Sequence, residues 1–418
     1  SGFGAQARSW LTLARRRKKR TVPRRGTIVM RICLYTDTAA PKLGGQEMVV
    51  DALARQFQQL GHEVKVLAPR PRLPLRARDH ELPYAVVRHP RFYSSRLFVP
   101  WYRWWLGRLH RAWPFDVLHC HGIYPPSYLA ALLRSQLNVP VVITSHGGDV
   151  HPGSIRVGKP VVRRRVEQGL ASADALIAIS RFTRENYLRL CPQAGNIVSI
   201  PNGVDLTALD APVPRPAGLD AAIGPGSYFL FLGRLARRKG VDVLLEALAR
   251  RSRYQGHLGN ETDVRLVIAG DGDVRADLEA QSARLGLQDQ VHFLGATLGP
   301  TKTYLLQNAH CTVMPSRTWE AFPLVVLESY AAGKPVIGTR IPGLEDLVEP
   351  GRTGWLVGPD DANALARALQ AALDDHQAVR RMGENARQTA QRYAWPTVAA
   401  MHIDLYRDLM ATRLAKAG

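Results

Sequence analysis

The chain has 418 residues and a formal net charge of +21, a length that exceeds one ordinary hydrophobic core and predicts two domains. No run approaches the ~20 apolar residues that a membrane span needs, so the folded body is expected to be soluble. The four cysteines, Cys33, Cys120, Cys191 and Cys311, are far apart and mostly in apolar settings, which argues against a disulfide framework and for buried thiols in a cytosolic protein.

Residues 1–29 carry nine Lys and Arg and no acid, which leaves +12 for the rest of the chain. This segment lacks apolar periodicity and is expected to be a disordered extension irrelevant to the fold. A polybasic arm for anionic lipid or nucleic acid is the alternative. From Met30 onward, short apolar strands alternate with helical patterns, the signature of an α/β chain with two parallel-sheet units.

The strand Arg31 to Thr36 runs through a loop into the helical stretch Gln46 to Leu60. Gly44 and Gly45 let the backbone approach a ligand at the helix start. The pair is not a Gly-x-Gly-x-x-Gly fingerprint and no Walker lysine follows. Residues 91–113 interleave Arg with Trp. A helix from Trp101 would place Trp101, Trp105 and Leu109 on one stripe packed on the first sheet, with Arg103, Trp104, Arg108 and Arg111 on the surface. Two readings stay open here: a core helix with a solvated basic face, or an interfacial helix on an anionic membrane through residues 96–113. His119-Cys120-His121 is short of the ligand set of a metal site, because no further ligands cluster nearby.

Leu206 to Ser227, with four prolines and no periodicity, reads as a linker. Beyond it, the strand Tyr228 to Leu232 leads into Gly233-Arg234-Leu235-Ala236-Arg237-Arg238-Lys239-Gly240 and a helix from Val241. Arg234 and Lys239 therefore sit at the carboxyl end of a strand, where open α/β sheets bind ligands. Two cations on such a turn suit a diphosphate. The strand Val264 to Ala269 ends in Asp271-Gly272-Asp273, which reads as a turn.

The densest signal is Glu320-Ala321-Phe322-Pro323-Leu324-Val325-Val326-Leu327-Glu328. Phe322 to Leu327, with Pro323 at the first helical position, reads as a helix start. The unpaired N–H groups of Leu324 and Val325 would point the positive end of the helix dipole at an anion. Carboxylates beside a phosphate site suit sugar hydroxyls, one acid for a pyranose and one for a ribose.

These motifs together resemble the retaining nucleotide-sugar glycosyltransferases of the GT-B fold, glycosyltransferase family 4. The two glutamates match the family's acidic pair separated by seven residues. Gly44, Gly45 and Glu47 match its Gly-Gly loop, and Asp116, His119 and His121 its strand-end motif. Thr144, His146, Gly147 and Asp149 match Thr-x-His-Gly-x-Asp, Pro201 to Asp205 match Pro-Asn-Gly-Val-Asp, and Gly233 to Gly240 match Gly-Arg-Leu…Lys-Gly. Ala321 departs from the family's usual Gly, and its methyl is expected to narrow the sugar pocket or shift the loop. Asp273 stands where many relatives have Pro.

The resemblance implies two Rossmann-like domains facing a deep cleft: an acceptor-binding domain over 30–205, a linker over 206–227 and a nucleotide-sugar domain over 228–392. It also implies a helix over 393–418 crossing back to the first domain. It assigns catalysis to His146, Glu320, Arg234 and Lys239. Donor contacts fall to Gly44, Gly45, Asp149, Asn202, Phe322, Pro323, Leu324, Val325 and Glu328. No cofactor and no metal is implied, since fixed cations and the helix dipole serve the leaving diphosphate. The partners expected are a nucleotide-sugar donor, UDP-sugar favoured over GDP-sugar, and a glycan or lipid-linked acceptor; no nucleic acid is expected. The place implied is the cytoplasm, at the inner face of the plasma membrane if the interfacial reading holds. A nucleotide-sugar 2-epimerase on the same fold, or a basic nucleic-acid binder, are the competing functions.

Overall fold

The computed structural model describes residues 29–40, 44–71, 79–90, 95–151, 153–154, 157–219, 223, 228–255 and 265–417. The 1–29 segment lies, except for Val29, outside the described residues, as does Pro41–Leu43 and part of the 206–227 stretch.

The apolar runs form two parallel sheets. The first contains β1 (Arg31–Thr36), β2 (Glu63–Pro69), β3 (Ala85–His89), β4 (Val117–His121), β5 (Val141–Thr144), β6 (Ala175–Ala178) and β7 (Ile197–Ser199) in the order β3-β2-β1-β4-β5-β6-β7. The second contains β8 (Tyr228–Leu232), β9 (Arg265–Ala269), β10 (Val291–Gly295), β11 (Cys311–Met314), β12 (Val336–Thr339) and β13 (Gly354–Val357) in the order β10-β9-β8-β11-β12-β13. In each sheet the strand order reverses beside the first strand, at β1/β4 and at β8/β11. Such a switch point opens a crevice at the carboxyl ends of the strands. Both faces of both sheets are covered, so the strands are apolar almost throughout rather than alternating.

The Trp395–Ala417 helix packs on the first sheet beside the Gly45–Gln59 helix. Val398, Ala399, Ile403 and Tyr406 join Ile32, Leu34, Val50 and Phe57 in one buried cluster. Phe57 and Tyr406 meet edge to face, with centroids 5.8 Å apart. Where the chain leaves the first sheet and where it returns, the two passages pair: Val204 N–H donates to Tyr393 O (2.8 Å), and Trp395 N–H donates to Val204 O (3.2 Å). Gly203 is required here, because a Cβ on it would stand 2.5 Å from the Trp395 ring.

Three local expectations need correction. The Gly45–Gln59 helix starts one residue early, at Gly45. The helix after Glu320 begins at Leu324, so Pro323 is its N-cap with extended backbone, not its first residue. The basic aromatic helix spans Ser95–Ala112 with Pro100 inside it. Its buried stripe is Tyr102, Leu106 and Leu109, not Trp101, Trp105 and Leu109. Trp101 and Trp105 are half-buried and cluster with the exposed Trp104, which stacks on Trp101 at 5.4 Å. The longer helix brings tyrosine and leucine against the sheet and leaves the indoles at the rim.

All four cysteines are buried free thiols. No helix among the described residues is long and apolar enough to cross a membrane.

Candidate active site

The turn after β8 brings Lys239 to Glu320. Lys239 Nζ donates to Glu320 Oε1 at 2.6 Å, Ser316 Oγ donates to the same oxygen at 2.7 Å, and Arg238 Nη1 lies 3.4 Å from it. The Glu320 side chain is only 8% exposed. Burial alone would raise its carboxyl, but Lys239, Arg238 and the Ser316 hydroxyl override that and hold it below the usual carboxylate range. Arg234 is exposed, and its guanidinium has no partner among the described residues. The turn after β8 thus presents two cations engaged with Glu320, Lys239 and Arg238, and an exposed Arg234 without a partner among the described residues.

The second glutamate is placed by the short helix that follows. Lys302 Nζ, from the Gly299–Asn308 helix, donates to Glu328 Oε1 at 2.6 Å. The other oxygen, Oε2, is buried and has no hydrogen-bond partner among the described residues. Glu328, Lys302 and Leu324 form one wall of a cleft of about 520 Å3, and Asp51 and Arg55 of the Gly45–Gln59 helix line the opposite wall. The amides of Leu324 and Val325 lie at the open N-terminal end of this helix. A buried carboxylate oxygen without a donor is rare in a folded protein, and this one belongs to a residue that lines the cleft.

His146 stands beyond β5, half-buried, with Nε2 3.2 Å from Nδ1 of His121. Burial pushes its imidazole down to about 4, against a pull upward from Glu47, so it is neutral at physiological pH. Asp149 is occupied within its own loop: its carboxylate accepts from Ile123 N (2.7 Å) and from Ser145 Oγ (2.5 Å). That geometry makes Asp149 a staple between two strand-end loops. Asn202 is buried and Phe322 half-buried, the latter 6.1 Å from the Tyr393 ring. Gly44 caps the first helix, and Gly45 opens it.

Ala321 meets the first domain. Gly147 has φ +95° and a Cβ placed there would lie 2.1 Å from Ala321 Cβ. The extra methyl at 321 therefore fills the space above a glycine that no other residue could replace. Beside it, Trp319 stacks on Phe182 (5.0 Å, 10°) and on His151 (4.6 Å, 27°). Arg238 lies 5.4 Å from the Trp319 ring. Among the described residues no group of three or more His, Cys, Asp and Glu could hold a metal ion. His119 is fully hydrogen-bonded, to Tyr406 Oη (2.6 Å) and to Thr144 Oγ1 (2.7 Å).

Sequence reasoning assigned no role to Lys302, Ser316, Trp319 or His121. Lys302 carries no local signal, since its partner lies 26 residues away on another helix. Arg238 was visible in the basic turn, but only the fold turns it toward Glu320.

Comparison with known proteins identifies the family and agrees with the fold. The model described as "Glycosyltransferase Family 4" matches residues 43–208, and "Glycosyl transferases group 1" matches residues 222–389. A phosphatidyl-myo-inositol mannosyltransferase of Mycolicibacterium smegmatis is 31% identical over 397 residues, covering 91% of this chain and 94% of the relative. Among solved structures, sucrose-phosphate synthase from Thermosynechococcus elongatus superposes with a TM-score of 0.75 at 26% identity, covering 92% of this chain and 100% of that one. Anabaena HepE in complex with UDP superposes with a TM-score of 0.74 at 19% identity, over 91% of this chain and 100% of that one. With two parallel sheets, a helix returning to the first of them, Glu328 in the cleft and Glu320 on the basic turn after β8, the chain belongs to the family 4 glycosyltransferases of the GT-B fold.

Proposed function

We propose that this glycosyltransferase takes its sugar from a nucleoside diphosphate donor, a UDP-sugar in preference to a GDP-sugar, and transfers it with retention to a glycan or lipid-linked acceptor. The observation that carries this reading is the orphaned Glu328 Oε2 in the cleft beside the start of the Leu324–Ala331 helix. Glu328 would accept the ribose hydroxyls there, and Phe322 and Pro323 would shape the approach. Arg234, Lys239 and the Leu324 and Val325 amides would hold the diphosphate, with Gly44 and Gly45 closing on it from the first domain. The preference for UDP draws on the HepE neighbour, which holds UDP.

In the reaction, the acceptor hydroxyl oxygen bonds to the anomeric carbon on the face from which the diphosphate departs. The anomeric C–O bond breaks with its electron pair going to the β-phosphate oxygen, which takes the acceptor's proton. Glu320 and His146 orient the sugar hydroxyls, and Asn202 lines the wall of the cleft. Asp149 acts by holding the loop that carries His146. No step in this scheme calls for a cofactor or a metal. The mannosyltransferase relative has a lipid in its name. The exposed Trp104, with Arg108 5.4 Å from its ring, supports peripheral contact with an anionic membrane at the cytoplasmic face.

Titration calorimetry of the full chain against UDP and GDP tests the donor. Micromolar binding of one supports the reading and names the donor class. Binding of neither refutes it. Donor turnover without acceptor would favour an isomerase instead.

A further inference from the structure

His121 is fully buried at the carboxyl end of β4, in register with Thr36 of β1 and Thr144 of β5. Its side chain has one described hydrogen bond, Nδ1 to His146 Nε2 at 3.2 Å. The two ring centres lie 5.4 Å apart at an interplanar angle of 19°. That separation is near the greatest that such a short N···N contact permits, so the rings meet edge to edge and nearly coplanar. This is the geometry of an N–H···N hydrogen bond rather than of a stack.

The surroundings hold His121 from several sides. Its ring centre lies 4.1 Å from that of His119, which is fixed by Tyr406 of the returning helix and by Thr144. Its backbone carbonyl accepts from Gln46 Nε2 at 3.1 Å, tying the strand end to the first helix. Its outer nitrogen, Nε2, is buried without a partner.

A neutral imidazole has one donor and one acceptor nitrogen, so the contact admits two arrangements. If His146 donates, His121 must carry its proton on Nε2, as a buried N–H with no acceptor. Buried N–H groups without an acceptor are rare in native structures, rarer than acceptors without a donor. If His121 donates from Nδ1, its Nε2 is a bare nitrogen and no N–H is stranded. His146 then has its own proton on Nδ1, the nitrogen that has no partner among the described residues.

We infer that His121 is a positioning residue that fixes the His146 ring with its proton on Nδ1, so that His146 meets the donor as a hydrogen-bond donor and not as a base. The inference about catalysis rests on the proposed donor site; the tautomer itself does not. Tyr406, His119 and Gln46 act one layer further out, by holding His121 in place.

The test has two arms on the full chain. Long-range 1H–15N spectra of the 15N-histidine-labelled protein, with His146 assigned from the His146→Gln spectrum, report which nitrogen carries the proton. The expected pattern is Nδ1–H in the native protein and loss of that preference in His121→Leu. A proton on Nε2 of His146 in the native protein overturns the inference. In the kinetic arm, His121→Leu should lower kcat roughly ten- to a hundredfold with the donor KM little changed. His121→Asn, whose amide can donate from nearly the same position, should recover most of it. Equal losses in two variants that melt like the native protein would mean that His121 is only structural. The spectral arm needs no substrate, so it decides the tautomer even where neither UDP nor GDP binds.

Discussion

Replacing Glu320 by Gln should tighten the binding of free UDP while slowing sugar transfer. In the ligand-free site Glu320 engages Lys239 at 2.6 Å, with Arg238 at 3.4 Å, and its side chain is 8% exposed. An incoming diphosphate must therefore share Lys239 with a carboxylate and sit close to that carboxylate's charge. Gln keeps the shape and can still accept from Ser316, but it releases the cation. A hydrogen bond to a charged group contributes about 1.5 kcal/mol net, so the gain in UDP affinity should be roughly tenfold. The same change removes the charge that orients the sugar, and kcat should fall about a hundredfold. It also leaves the largely buried Lys239 and the exposed Arg238 without their counter-charge, at a cost of up to about 3 kcal/mol in stability, most of it at Lys239. Titration calorimetry with UDP, a transfer assay and urea unfolding read the three effects separately. A folded Glu320→Gln protein that binds UDP no better than the native one would refute the competition between Glu320 and the diphosphate for Lys239.

Glu328→Ala should weaken UDP binding by about 1–2 kcal/mol, since the ribose loses its acceptor; calorimetry that shows unchanged affinity would remove Glu328 from the site. Trp319→Ala removes the stack on Phe182 and His151, a contact between the two domains, and should weaken that contact by about 1 kcal/mol, seen as a larger radius of gyration by small-angle scattering of the free protein. The last expectation concerns acid. Burial holds His402 at about 4, below the roughly 6.5 of an unfolded histidine. As pH falls through 6.5 the unfolded chain takes the proton first, so stability drops between about pH 6.5 and 4, by about 2 kcal/mol for this group at pH 5. Urea unfolding at pH 7 and pH 5 should show a smaller loss for His402→Gln than for the native protein; equal losses would contradict the assignment.

How much of this was legible beforehand depends on how local the signal is. The run Tyr228 to Leu232 and the turn to Gly240 announce a strand end carrying cations, because a buried parallel strand must be continuously apolar and a loop need not be. The helix starting at Leu324 was one residue from its expected place, since Pro fits a cap as well as a first turn. The Ser95–Ala112 helix was read with the wrong face inward. Trp101, Trp105 and Leu109 satisfy helical spacing, and so do Tyr102, Leu106 and Leu109; apolarity cannot choose between them, while the shape of the sheet beneath can.

The sequence by itself determined the alternation of strands and helices, the two sheets, the pair Glu320 and Glu328, and the basic turn after β8, all properties of neighbours along the chain. Tertiary structure alone decided what those residues touch. It gave Asp149 to the amide of Ile123 and the hydroxyl of Ser145, and it set Lys302 on Glu328. It also engaged Lys239 with Glu320, 81 positions away, and placed His121 against His146. A hydrogen bond reaches about 3 Å, and only the folding of distant segments into one crevice brings such partners within it.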